Sequence, residues 1–185
     1  MKTLQSVIYT SVLLLVNLAF SPISDAHVMV AQHGSLNIVD DGVFMVISLP
    51  VTAFKNVDDD NDGKLSAEEF SLHRANIAST VHEKITLSEK GRKITLQGMM
   101  LAPVTSHHSL QTPSSQLIVM GRYSLVSPNN DLQFEIDLFG ESPAEQRIEI
   151  TATKKQNESR QIIKLSPQQT NVSLFSNETL TLAKK

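Results

Sequence analysis

Asp58, Asp60 and Asp62 recur at every second position, Gly63 follows, and Glu69 closes a twelve-residue stretch that reads Asp-Asp-Asp-Asn-Asp-Gly-Lys-Leu-Ser-Ala-Glu-Glu. Alternate oxygens on a tightly curled backbone can turn toward one point. The chemistry such a point offers is the binding of a hard divalent cation, which takes roughly six to eight oxygen ligands. In this register Asp58, Asp60 and Asp62 supply side-chain oxygens, Lys64 contributes its main-chain carbonyl, and Ser66 reaches the ion directly or through a water. Glu69 closes the site with both carboxylate oxygens, which favours Ca²⁺ over the smaller, more strictly octahedral Mg²⁺. Gly63 allows the left-handed turn that reverses the chain. Six carboxylates against Lys64 give these twelve residues a charge of −5, more negative than the −3 of the whole chain. Charge packed that densely repels itself unless a cation joins it.

The stretch resembles an EF-hand calcium loop, and it matches every constrained position of that motif. The resemblance implies a helix on each side of the loop. It also implies that Leu65, apolar between Lys64 and Ser66, makes a short β contact with a partner loop. Pro50 can open an entering helix whose face carries Val51, Phe54 and Val57, and an exiting helix is expected from about Ser66 with Phe70, Ile77 and Val81 in one stripe. The helix-loop-helix therefore occupies about residues 50–82. EF-hands commonly come in pairs, yet no second loop is found. Asn129 and Asp131 begin in the right way, but Phe134 stands where Gly is required. A lone hand points to a structural or interaction role. The partners expected are the calcium ion, and either another protein or a second copy whose single loop pairs with this one.

The elements that must position this loop are strands. Leu36–Val39 and Val43–Leu49 flank an Asp40-Asp41-Gly42 turn, and residues 84–88 and 93–100 flank a tip at Glu89-Lys90-Gly91-Arg92. Residues 117–126 and 132–139 are joined through Ser127-Pro128-Asn129-Asn130, where Pro and Asn set turn dihedrals. Leu132, Phe134, Ile136 and Leu138 alternate with polar residues, as do Ile148, Ile150 and Ala152. Gln156–Arg160 and Pro167–Asn171 read as polar loops. The fold class expected is mainly β, a sandwich-like arrangement of about eight or nine strands with the helix-loop-helix inserted.

The first residues read as an address. Lys2 precedes a mostly apolar run from Val7 to Phe20, followed by Pro22 and the small residues Ser24 and Ala26, the pattern of a secretory signal peptide cut between Ala26 and His27. Fourteen residues interrupted by Thr10, Ser11 and Asn17 fall short of the ~20 that a spanning helix needs. The chain is then one domain over 27–185, secreted or periplasmic, with no membrane span once the signal is removed.

Composition narrows the remaining functions. The chain has no cysteine, which removes disulfides, thiol catalysis and thiolate-ligated metals. A net charge of −3 and nine aromatic residues without Trp argue against nucleic-acid binding. His27, His33, His107 and His108 define an alternative, a copper- or zinc-handling site. In a strand His27 and His33 stand ~20 Å apart, so that site requires His107 or His108 to fold back. No nucleophile elbow, zinc-protease helix or phosphate-binding glycine loop occurs, so no enzyme is expected. An enzyme with a site of unrecognised pattern is the third reading.

Overall fold

In the computed structural model, described over residues 30–104, 112–127 and 131–176, ten strands form two sheets, accompanied by one α-helix. The strands are β1 (His33–Val39), β2 (Gly42–Pro50), β3 (Ile85–Glu89), β4 (Arg92–Ile94), β5 (Gln97–Pro103), β6 (Gln116–Ser124), β7 (Leu132–Ile136), β8 (Ile148–Lys154), β9 (Ser159–Leu165) and β10 (Asn171–Leu174). The helix α1 spans Ala67–Lys84. Residues 1–26, read from the sequence as a signal peptide, lie outside the described residues, as do His27, His107 and His108.

The larger sheet runs β5-β6-β2-β1-β8-β9 and the smaller β10-β7-β3-β4. Every pairing is antiparallel except β1 with β8. Alternation decides which side chains turn inward. Leu36 and Ile38 of β1, Val43, Met45, Ile47 and Leu49 of β2, and Ile148, Ile150 and Ala152 of β8 enter a single buried cluster. Ile85 and Leu87 of β3 and Leu132, Phe134 and Ile136 of β7 complete it from the smaller sheet. The Tyr123 hydroxyl on β6 reaches the Ile85 carbonyl on β3 at 3.4 Å, so the two sheets meet across this core. Burial raises the Tyr123 pKa well above that of a free phenol, so the ring enters the core as a neutral donor. Gln161 stitches β9 to β10: its Nε2 donates to the Ser173 carbonyl at 3.2 Å, and its Oε1 accepts the Phe175 N–H at 2.8 Å.

Three expectations about the sheets change in detail. Residues 93–100 are not one strand, because the chain leaves the smaller sheet after Ile94, buries Leu96 and joins the larger sheet at Gln97. That switch raises the strand count. β9 begins inside Gln156–Arg160, and β10 begins at the end of Pro167–Asn171, both read as polar loops.

The helical insertion departs further. Only the exiting helix forms, and no helix-loop-helix pair is present among the described residues. Pro50 is the last residue of β2, with φ −69° and ψ 145°, and Val51–Ala53 make a single 3₁₀ turn. Phe54 is already extended, and Asn56 turns left-handed at φ 59°. Val51, Phe54 and Val57 are nonetheless buried. The i, i+3 spacing that suggests a helical face serves a tight turn equally well, and so short a segment gains too few hydrogen bonds to offset the cost of helix nucleation.

Candidate metal centre

The acidic loop spans Asp58 to Glu69, between Val57 and the first turn of α1. Ser66 caps α1, with its Oγ accepting the Glu69 N–H at 3.2 Å. Glu69 answers by accepting the Ser66 N–H at 2.8 Å and the Ser66 hydroxyl at 2.7 Å, both on Oε2. This reciprocal capping box aims the carboxylate back over the loop instead of out along the helix. Its other oxygen, Oε1, accepts the Asp59 N–H at 2.8 Å. The bonds from the Ser66 backbone, the Ser66 hydroxyl and the Asp59 backbone hold the Glu69 pKa down from 4.5 to about 2, so the carboxylate stays ionised.

Asp58 turns inward by taking backbone donors. Its Oδ2 accepts the Gly63 N–H at 2.7 Å, and its Oδ1 accepts the Asp62 N–H at 3.2 Å. The same Asp62 N–H also lies 3.2 Å from Asp60 Oδ1. Gly63 at φ +76° and Asn61 at φ 60° supply the left-handed steps that fold the chain around these bonds. An oxygen from each of Asp58, Asp60 and Glu69 then falls within 4.8 Å of the other two. Like charges so close shift protonation. The Asp62 N–H bond lowers the Asp60 pKa, but desolvation, Asp62, Asp58 and Glu69 together outweigh it and leave the pKa raised.

The six residues singled out from the sequence therefore divide. Asp58, Asp60 and Glu69 converge. Asp62 stands outside that group, with its Oδ1 accepting the Lys64 N–H at 2.8 Å, and the Ser66 hydroxyl is committed to the helix cap. Lys64 is exposed. Three carboxylates on a short, hydrogen-bonded loop can hold a divalent cation through oxygen, with carbonyl and water oxygens to fill a larger shell.

Two further residues shape the loop, and neither stands out in the sequence. His73, nearly two turns into α1, lies 2.9 Å and 3.0 Å from the two oxygens of Asp59. A carboxylate there can only accept, so His73 Nε2 carries the proton. The bond turns Asp59, which is not a ligand in this register, away toward the helix. The second residue is Ser114, just before β6, which forms a two-way backbone bridge with Leu65. A His fourteen residues after an Asp, and a Ser in a polar connection, carry no sequence signal for either contact.

Of the histidines in the metal-handling alternative, only His33 is described. Its Nδ1 is 2.8 Å from the Ala31 carbonyl. No group of three potential ligands other than Asp58, Asp60 and Glu69 forms among the described residues. No protein-family model matches the chain, and no curated protein matches it.

Proposed function

We propose that the protein binds one calcium ion through residues 58–69, as a single EF-hand-like loop with a structural role. The observation that supports this most is the agreement of residue type with register. Asp58, Asp60 and Glu69 stand at the first, third and twelfth positions and converge, with left-handed Gly63 at the sixth. Asp62, the Lys64 carbonyl and Ser66 are the remaining ligands in this reading. Asp62 and Ser66 join the shell by giving up local hydrogen bonds for the ion. The role is structural because the loop has one flanking helix and so no helix pair to open in the manner of a calcium sensor.

The leader-like N-terminus fits this reading, since an exported protein meets far more calcium than a cytoplasmic one. Extracellular calcium modules bind at about 10⁻⁴–10⁻³ M. At a hundredfold excess of ion over Kd such a site stabilises the fold by about 2.7 kcal/mol. We assign the protein no reaction.

The test is a calorimetric titration of chelator-stripped protein with Ca²⁺, repeated with Mg²⁺ and on Glu69→Gln. One site selective for Ca²⁺ and lost in the variant is the expected result. No heat at millimolar Ca²⁺ overturns the reading.

A further inference from the structure

Both main-chain groups of Leu65 are taken within the chain. The Leu65 N–H donates to the Ser114 carbonyl at 2.8 Å, and the Ser114 N–H donates to the Leu65 carbonyl at 2.9 Å. Leu65 and Ser114 are buried, at 2% and 4% exposure, so this bridge is shielded from competing water. The next residue holds the chain seven residues ahead of Asp58, where the Val51 N–H donates to the Ser115 carbonyl at 3.0 Å. Two consecutive residues thus grip the chain before and within the acidic loop. The Ser114 hydroxyl lies 2.6 Å from the Val104 carbonyl and 2.7 Å from the Gln116 carbonyl, and accepts the Gln116 N–H at 3.2 Å. The Val104 N–H donates to the Gln116 carbonyl at 3.0 Å. The grip is therefore rooted where β5 ends and β6 begins.

Resting on the calcium reading above, we propose that Ser114 is the internal mate of the acidic loop. It is a positioning residue that fixes Leu65 and lets a single hand bind calcium within one chain. The Leu65 position, through which two loops would pair, has no main-chain group left for a second chain. The anchor at Ser115 ties the start of the segment that leads to Asp58 to the same connection. Calcium uptake is then one ion per monomer and leaves the mass in solution unchanged.

The experiment is calcium calorimetry with sedimentation on the wild-type protein and on Ser114→Ala, Ser114→Thr and Ser114→Pro. The core variant Leu174→Ala, remote from the loop, serves as a stability control. Ser114→Pro deletes the N–H that Leu65 needs and raises the calcium Kd by roughly tenfold, the equivalent of one hydrogen bond. Ser114→Ala raises Kd by a smaller factor, and Ser114→Thr restores it. Leu174→Ala melts earlier with Kd unchanged, which separates positioning from stability. In the wild type, calcium slows amide exchange at Leu65 and Ser114, a readout that needs no variant to fold. Wild-type binding with the same Kd in Ser114→Pro, unchanged exchange at those two amides, or a calcium-driven dimer overturns this inference and leaves the calcium reading standing. No calcium heat from the wild type overturns both.

Discussion

Glu69 and Glu89 perform the same local task in opposite surroundings. Each holds a loop by accepting backbone N–H groups on its carboxylate. Glu89, at the end of β3, accepts Val126 at 3.0 and 3.1 Å and Ser127 at 2.9 Å, and it is only 4% exposed. Glu69 accepts Asp59 and Ser66 at a more open site, with Asp58 and Asp60 close by. A buried carboxylate must have its bonds met, and the donors around Glu89 meet them locally. Glu69 sits in a loop of charge −5, and its donors leave the repulsion from its neighbours uncancelled. Backbone donors thus anchor one clamp in the core, while the other, on the calcium reading proposed above, has a use for a cation.

The comparison breaks first at the buried clamp. Glu89→Ala strands the N–H groups of Val126 and Ser127, and hydrogen bonds to a charged group contribute about 1.5–3 kcal/mol. A loss of about 3 kcal/mol is expected by urea denaturation, the same with calcium and with chelator. If the loss depended on calcium, the two clamps would not be independent.

Glu69→Gln comes next and separates along the same line. With chelator the variant loses about 1 kcal/mol, the cost of a weakened cap. In excess calcium it also forgoes the gain of about 2.7 kcal/mol that the wild type receives at a hundredfold excess. Melting curves of both proteins with and without calcium measure the difference. Equal shifts in the two would make Glu69 a cap and nothing more.

How much of this was legible depends on whether a residue's role is set by its near neighbours in sequence. The strand of Ile148–Ala152 follows from two-residue alternation, Leu36–Val39 and Val43–Leu49 from the Asp40-Asp41-Gly42 turn between them, and α1 from the Phe70, Ile77, Val81 stripe. The convergence of Asp58, Asp60 and Glu69 was legible from spacing. The missing entering helix was not, because Val51, Phe54 and Val57 bury themselves from a turn as well as from a helix. The sheet switch at Leu96, the Glu89 clamp and the Leu65–Ser114 bridge join residues remote in sequence or answer to tertiary packing. Local propensity carries no trace of such contacts.

Acid tests the open clamp more gently. Folding lowers the Glu69 pKa from 4.5 to about 2, so the folded chain binds fewer protons there than the unfolded chain does. Stability from this group is present above pH 4.5 and is lost as pH falls toward 2. In Glu69→Gln, that part of the acid dependence disappears from the melting curves. An unaltered profile below pH 4.5 would show that the Ser66 and Asp59 bonds do not hold the carboxylate in solution.

The smallest effect has the opposite sign and sharpens the comparison most. Asp60 carries a raised pKa because the neighbouring carboxylates and desolvation together outweigh its bond from Asp62. A group whose charged form is disfavoured by folding opposes folding while it stays charged. Asp60→Asn keeps the side-chain oxygen facing the Asp62 N–H and removes the charge, so the chelated protein should melt slightly higher than wild type. The same change deletes an anionic ligand, so calcium restores less stability to the variant and its Kd rises. The two proteins then exchange rank between chelator and saturating calcium. An exposed acidic turn with no ion to hold would show the first effect without the second, because relief of repulsion needs no cation, whereas loss of affinity does.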